Sequence, residues 1–463
     1  MIEYDVIVVG AGVAGASLAT VLGRDGRKVL CIERSLKEPE RIVGELLQPG
    51  GYDALKQLGL EKAVEGIDAQ NVYGYGIFMD GKSLEINYCE DVGEDKVPST
   101  GRSFHNGRFL RRLRELAAEE ESVTLIEGNV KYLNDDDGHV KGVTYSDGSG
   151  ADTEAFAKLT VACDGCFSRL RRMVNPAAEY EVMSQFYGLI LRDLSLPFPE
   201  HGHVVLLDPA PSLFYPISSS EVRCLVDVPA EVSRAPNFDV KKHMIEKLAP
   251  QLPEELTASF VAAVERGDMK SMPNRAMPAI PVGLTGAILL GDSFNMRHPL
   301  TGGGMTVALS DVNHFRNFLR TVDDLSDVEL VSSLQAYLLA ERQSLSSTIN
   351  ILANALYSLF CANDDPALKD MKIACFDYLS KPGRWSSDPI SMLGGLTGRP
   401  YLLLAHFFGV AVYACGRILV DSPSPNGVSR CWRLFCNAFN IVKPLIDAEG
   451  VTFVSKIPIT QLR

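Results

Sequence analysis

Two glycine-rich turns far apart in the chain, a mid-chain switch from strand–helix alternation to strand–turn–strand runs, and an apolar helical tail together predict an α/β protein. The expected architecture is a doubly wound, mostly parallel-sheet domain interleaved with a mostly antiparallel sheet domain, with a helical region at the C-terminal end. At 463 residues the chain exceeds the size at which single cores stop growing. Its 46% hydrophobic and 22% charged residues are those of an ordinary globular protein.

The N-terminal element is a short apolar strand over residues 5–9 (DVIVV), followed by Gly10, Gly12 and Gly15 in GxGxxG spacing and a helix over residues 16–22. Gly10 permits the tight turn, Gly12 lets backbone N–H groups approach a pyrophosphate, and Gly15 lets the helix pack close to the strand. Val13 and Ala14 fill the variable positions between the last two glycines. A second strand over residues 28–32 ends at Glu33, an acid placed to accept a hydrogen bond from a ribose hydroxyl. Strand, glycine turn, helix and acid in this order indicate a Rossmann-type dinucleotide site. They do not separate a flavin from a nicotinamide cofactor, because both present an ADP moiety to the same βαβ unit.

Residues 291–305, GDSFNMRHPLTGGGM, make that separation. A buried strand over residues 287–290 runs into Gly291-Asp292, and three glycines lead into a helix near Met305. An acid at a strand end can bind ribityl hydroxyls, and glycine N–H groups at a helix N-terminus can hold phosphate or the polar edge of a flavin. Three consecutive glycines carry a large backbone-entropy cost for a mere chain reversal. The two glycine turns are therefore expected at two ends of one FAD molecule.

The middle of the chain continues the pattern. Residues 109–121 form an amphipathic helix, and strands are expected at 124–127, 140–145 and 159–162. Over residues 183–228 the character changes to strand-like runs with Pro and Ser turns, which predicts the antiparallel sheet, with residues 70–88 as its earlier piece. From about residue 330 the chain is helical and apolar, most clearly over 344–361. Residues 400–416 form an uncharged run of 17, containing His406 and ended by Arg417, at the lower limit for crossing a bilayer. Residues 399–463 hold seven Lys/Arg against three Asp/Glu, a positive tail suited to an anionic membrane surface.

Other signals are mostly exclusions. The net charge of −13 argues against nucleic acid as a partner. Ten cysteines suggest no disulfide framework and a reducing compartment. Cys163 and Cys166 form a CxxC, but Cys431 and Cys436 are too distant to complete a zinc site, so packing is the plainer reading. His201 and His203 have no third ligand nearby and are expected as surface or packing residues, so no metal is expected. No secretory signal precedes the first strand. No second GxGxxG indicates a separate nicotinamide domain.

The segments GAGVAG, TVACDGCFSRLRR with its Asp164-Gly165, and GDSFNMRHPLTGGG resemble the FAD-dependent monooxygenases of the para-hydroxybenzoate hydroxylase fold. The longer runs ERIVGELLQPGGYDALKQLGL, DAQNVYGY, GRSFHNGRF, FYPISSSEVRCLVDVP, SMPNRAMPA and GDSFNMRHPLTGGGMTVALSD are similar to the squalene epoxidase family. That resemblance implies FAD, squalene and O2 as reactants, and NADPH electrons delivered through a flavoprotein reductase. It also implies attachment of the C-terminal helices to the cytosolic face of the endoplasmic reticulum membrane. Glu33 and Arg34 would meet the adenosine end, Arg41 and Arg108 the flavin or pyrophosphate, and Asp292 and Met305 the ribityl and isoalloxazine end. Gly10, Gly12, Val13, Ala14, Gly15, Leu46, Val130, Asp164 and Gly303 would complete the cofactor set. Tyr75 would lie near the flavin, hydrogen-bonded to Gln48, and Tyr215 would line the cavity, all three positioning rather than transferring protons. Leu46 and Leu47 stand where some relatives carry an aromatic residue, and the N-terminal regulatory extension of some animal members has no counterpart here.

The implied division is residues 1–70, 101–175 and 282–325 for the FAD-binding domain, 71–100 and 176–281 for the substrate domain, and 326–463 for the helical, membrane-associated region. The implied chemistry is epoxidation of a terminal double bond, with the protein supplying dryness and aim. Two other readings of the same residues stay open: a flavin hydroxylase of another apolar or aromatic substrate, and a non-catalytic lipid-binding flavoprotein.

Overall fold

The computed structural model describes residues 3–88, 99–148, 150–281, 284–361, 365–421 and 423–451. Part of the expected 71–100 piece, the expected boundary at residue 282, and the tail cations Lys456 and Arg463 lie outside these residues.

The first sheet has the strand order Val123–Glu127, Val29–Glu33, Glu3–Val9, Asp152–Ala162, His139–Ser146, Asn129–Asp136, with Ala287–Leu289 also pairing the far end of Asp152–Ala162. Its central pairings are parallel, with Val9 beside Ile32 and Ala162. The pairings of His139–Ser146 with its two neighbours are antiparallel. Strands buried on both faces read as continuous β-branched runs, which is why DVIVV and LTVA stand out in the sequence. The helix Val13–Arg24 is buried along its inner length because Ala14, Gly15, Ala16 and Ala19 let it lie close to the sheet.

The helix expected over 109–121 runs Asn106–Ala118. It stops before the run Glu119–Glu121, since consecutive carboxylates at a helix C-terminus oppose its dipole. The aromatic pair Phe104 and Phe109, fully buried with rings 4.4 Å apart, anchors its first turn. Each such side chain contributes roughly 1.5–3 kcal/mol of burial.

The second sheet has the order Lys270–Ala276, Glu181–Arg192, Glu221–Pro229, Ser212–Pro216, His201–Val205, Gly74–Met79, Lys82–Asn87. All neighbours are antiparallel except His201–Val205 with Gly74–Met79, where residues from two distant parts of the chain meet. A small third sheet, Leu46–Leu47, Gly101–Ser103 and Gln70–Val72, lies where the chain passes between the two large ones.

Among the described residues the C-terminal region has five helices, Val328–Phe360, Pro366–Leu379, Arg384–Leu393, Pro400–Asp421 and Pro425–Ala448. The helix that contains the uncharged run extends past Arg417 to Asp421, and Arg417 ion-pairs with Asp377 on Pro366–Leu379. The helix is 22 residues long, and its most apolar 18-residue stretch has a mean hydropathy of 1.8 and is 44% buried. Val420, Val428, Trp432 and Phe439 on the last two helices are exposed. One apolar cluster runs without interruption from Tyr75 and Tyr215 in the second sheet to Ala411 and Ala438 in these helices.

Candidate active site

Both glycine turns open into a single cleft of about 650 Å³. At its first end Gly10 has φ +96°, and a Cβ there would lie 2.6 Å from the Cys163 carbonyl oxygen. A Cβ on Gly15 would overlap the Gly10 carbonyl oxygen, whereas one on Gly12 would meet nothing within 4 Å. Close packing thus explains Gly10 and Gly15, and an open face explains Gly12. The helix Val13–Arg24 has Gly12 as its N-cap with no side-chain cap, so its first N–H groups remain available to an anion in the cleft.

The second glycine turn repeats this arrangement. The helix Gly304–Leu319 also lacks a side-chain cap and has no acid in its first turn. Gly302, at φ +63°, turns the chain under Gln48, and Gly304 faces open space. Gly303 departs from expectation: its Cβ direction is blocked by Ile349, and the cleft is lined by Gly302, Gly304 and Met305 instead. Its role is to let the helix Val328–Phe360 pack against the turn.

Val13, Ala14, Arg34, Arg41, Leu46, Val130 and Asp292 all line the cleft. Glu33 does too, but its carboxylate is partly engaged, accepting from the Ala11 amide at 2.7 Å and the Ser35 amide at 3.3 Å. Asp164 accepts from the Arg169 and Leu170 amides through one oxygen, while its other oxygen is buried without a partner. An orphaned acceptor at this place fits a hydroxyl donor from a bound nucleotide.

Arg108 is not in the cleft. It donates to the Ile67 carbonyl at 3.4 Å, and on this helix Arg114, six residues on, lines the cleft instead. Arg114 is buried and donates to the carbonyls of Ala11 (2.9 Å), Ser35 (3.1 Å) and Lys37 (3.2 Å), with Glu33 at 3.7 Å. It ties together the glycine turn and the loop after the second strand. The signal was available: Arg114 lies four residues after Leu110 and three before Ala117, on the apolar face of its helix.

The other end of the cleft is apolar, with Leu46, Leu213, Leu225, Met272 and Leu300 beside Tyr75 and Tyr215. Gln48 is fully buried behind Tyr75. Its side-chain nitrogen donates to the Thr301 carbonyl at 2.7 Å and to the Tyr75 hydroxyl, and its oxygen accepts from the Tyr88 hydroxyl at 2.7 Å. A carbonyl can only accept, so Thr301 determines which way the Gln48 amide faces. The Tyr75 oxygen is then an acceptor in this network, and its own hydrogen is available to the cleft. Burial pushes the Tyr75 phenol up to about 12, against the neighbouring Tyr88 hydroxyl and the Gln48 hydrogen bond, which lower it. The group is therefore a neutral donor at physiological pH.

Tyr215 belongs to a charged network that the sequence did not disclose. Its hydroxyl faces Glu45 at 3.4 Å, and Glu45 accepts from Arg223 through both oxygens, at 2.7 and 2.9 Å. All three are buried. Burial, then Glu45, holds the Tyr215 phenol well above its ordinary range.

Ser184, His298 and Asp227 form a serine–histidine–aspartate group that could be mistaken for a hydrolytic triad. Ser184 Oγ is 2.9 Å from His298 Nε2, and Asp227 is 3.4 Å away. However, His298 Nδ1 accepts from the Leu300 amide, which leaves the ring proton on Nε2 and nothing to accept one from serine. All three are closed off from the cleft, and His298 stacks on Tyr357 at 3.8 Å. Their function is to hold the loop before Pro299.

His201 and His203 are buried packing residues rather than surface ones. His203 stacks against the Phe78 and Phe198 rings, and burial lowers its pKa to about 4. Cys163 is the surface on which Gly10 and Gly15 pack, and burial raises its thiol far above the ordinary value.

Comparison with known proteins agrees with this geometry. A squalene epoxidase family profile matches residues 156–432, and a glucose inhibited division protein A profile matches residues 5–177. The chain is 52% identical to squalene epoxidase 1 of Arabidopsis thaliana over 450 residues, covering 96% of this chain and 84% of that protein. It belongs to the squalene epoxidase family. Squalene monooxygenase SE1 of Panax ginseng is 51% identical, over 96% of this chain and 83% of its own length. Squalene monooxygenase of Mus musculus is 41% identical, over 96% and 78%. Among solved structures, p-nitrophenol 4-monooxygenase PnpA from Pseudomonas putida aligns with a TM-score of 0.70 at 17% identity, over 86% of this chain and 100% of that one. PqsL, a probable FAD-dependent monooxygenase from Pseudomonas aeruginosa, aligns at 0.65 and 22%, over 78% and 97%. At these identities the structural matches carry the fold alone. As a squalene epoxidase family member, the chain combines that fold with the apolar cleft end and the two tyrosine networks described above.

Proposed function

We propose that this chain is an FAD-dependent squalene monooxygenase, converting squalene, O2, two electrons and two protons into (3S)-2,3-oxidosqualene and water in sterol and triterpenoid biosynthesis. The observation that carries the reading is a cofactor cleft whose far end is apolar and holds a neutral phenol, in a member of the squalene epoxidase family. When bound and reduced, FAD activates dioxygen for transfer of one oxygen atom to an alkene.

The protein's own residues supply the rest. Gly12 and the uncapped N-terminus behind it hold the pyrophosphate; Glu33, Arg34 and Val130 receive the adenosine end; Asp164 and Asp292 receive hydroxyls; Arg114 maintains the shape of the nucleotide end. Gln48 holds Tyr75 so that its hydroxyl hydrogen is offered to the cleft, and Tyr215 with Glu45 and Arg223 fixes the opposite wall. A hydrocarbon offers no polar groups to grip, so its binding rests on apolar burial, roughly 0.8 kcal/mol per CH2. An apolar wall also keeps water from the reacting oxygen.

The discontinuous division 1–70, 101–175 and 282–325 serves as the FAD domain in this reading, 71–100 and 176–281 as the substrate domain, and 326–463 as the membrane-associated region. Electrons come from NADPH through a flavoprotein reductase. The exposed Val420, Val428, Trp432 and Phe439 support attachment of the last helices to the cytosolic face of the endoplasmic reticulum. One relative, squalene epoxidase 2 of Arabidopsis thaliana, is named mitochondrial, so imaging of the tagged chain tests the compartment.

The deciding experiment incubates the purified chain with FAD, NADPH, a reductase and squalene and assays oxidosqualene by mass spectrometry. NADPH consumption that yields only hydrogen peroxide overturns the assignment. Deleting residues 400–463 should abolish sedimentation with liposomes, and unchanged sedimentation refutes the attachment.

A further inference from the structure

Arg297 is a charged residue of the cleft that the reading above leaves without a task. It is 7% exposed and lines the cleft together with Asp292, Pro299, Gly302 and Gly304, at the end where the second glycine turn opens. Its Nη2 donates to the carbonyl and the side-chain oxygen of Asn295, both at 2.8 Å, and its Nε is buried with no partner. Of the nearby acids, Asp292 favours the cation most strongly but forms no ion pair with it, Asp311 binds Arg342 through both oxygens, at 2.9 and 3.1 Å, and Glu449 accepts from Asn350 at 2.9 Å. Arg342 adds a like charge.

A buried guanidinium without its own carboxylate is expensive to maintain unless an anion joins it when the cleft fills. The helix Gly304–Leu319 points its uncapped N-terminus into the same place, adding partial positive charge of about half an elementary charge. Reduction of a flavin by two electrons, delivered here from NADPH through the reductase, and one proton leaves one negative charge on the ring. Charge near the ring nitrogens is what sets a bound flavin's electronics.

We propose that Arg297, with the N-terminus of the helix Gly304–Leu319, holds the negative charge that reduction leaves on the flavin ring and so raises the reduction potential of the bound cofactor. This rests on FAD occupying the cleft and is independent of squalene as substrate. The competing partner for Arg297 is the pyrophosphate of the same cofactor.

The test loads the purified full-length chain with FAD, reduces it stepwise beside a redox dye, and reads the ratio of reduced to oxidised flavin at a fixed dye potential. The FAD dissociation constant is measured separately by equilibrium dialysis. In Arg297→Gln the ratio should fall about tenfold, equivalent to about 30 mV for a two-electron couple. Arg297→Lys, which keeps the cation, should stay within about twofold of the parent chain, a shift of under 10 mV by the same conversion. Arg297→Met, with an apolar chain suited to a buried place, repeats the measurement should the glutamine variant fold poorly. The ratio is read from flavin absorbance, so only loaded protein contributes. An unchanged ratio in the neutral variants overturns the proposal, and weakened FAD binding with an unchanged ratio assigns Arg297 to the pyrophosphate instead. A parent chain that retains no FAD sinks the cofactor reading itself.

Discussion

Glu45 and Gln48 lie three residues apart, yet each heads a buried polar network of a different kind at the apolar end of the cleft. Glu45 is in an ion pair with Arg223, a residue 178 positions away on the second sheet, and Tyr215 leans on that pair. Gln48 heads a neutral network with Tyr75, Tyr88 and the Thr301 carbonyl. The charged network can fasten the loop before the third sheet to the second sheet, because a desolvated ion pair loses heavily if either member leaves. The neutral one can present a proton donor beside a hydrocarbon without bringing charge and its water along. Fastening and presenting are divided between the two.

The comparison can be broken most forcefully at the ion pair. Glu45→Ala leaves Arg223 buried and unpaired and should destabilise the protein by about 3–5 kcal/mol in urea unfolding. The double variant Glu45→Met with Arg223→Met should regain most of that loss; if it unfolds as readily as the single variant, the pair does more than neutralise itself. A smaller effect is expected at Gln48→Ala, which orphans the Thr301 carbonyl and the Tyr88 hydroxyl, about 1–3 kcal/mol by the same measurement.

Tyr75→Phe should change stability by about 1 kcal/mol or less while lowering turnover by about tenfold, the loss of roughly one hydrogen bond in the transition state. FAD content, read from absorbance, should be unchanged; a parallel fall of FAD and activity contradicts the presenting role. The subtlest contrast is in pH. The Tyr75 phenol is raised from 10.0 to about 12 in the folded state, so its contribution to stability is full below pH 10 and declines as pH rises from 10 to 12. Tyr75→Phe should flatten that part of the stability profile, measured by urea midpoint against pH, and an unaltered slope would assign the decline to other tyrosines.

The Gln48–Tyr75 pair of the neutral network was legible in the sequence; its Tyr88 and Thr301 members and the charged network were not. Gln48 and Tyr75 sit in long runs similar to a known family, and the glycine turns have a spacing that follows from backbone geometry alone. Glu45 sits in one of the same runs, but nothing local announces that a carboxylate in VGELLQ meets an arginine in VRCLVDV; sequence separation hides the pair. Arg223 did carry a hint, as a lone cation inside an otherwise apolar strand. The exchange of Arg108 for Arg114 has a different cause. Resemblance points to the motif containing Arg108, whereas the helical period puts Arg114 on the buried face. A run of three glycines does not by itself reveal which one packs against Ile349 and which one faces open space.

The apolar cluster that runs unbroken from Tyr75 to the last two helices bears on how substrate should be counted. If those helices lie in lipid, squalene reaching the cleft from that side is a solute of the membrane, and its supply is set by its mole fraction in the bilayer rather than its molarity in the assay. Diluting a suspension of substrate-loaded vesicles would then leave the rate per bound enzyme unchanged, whereas diluting squalene with inert lipid at constant volume would slow it.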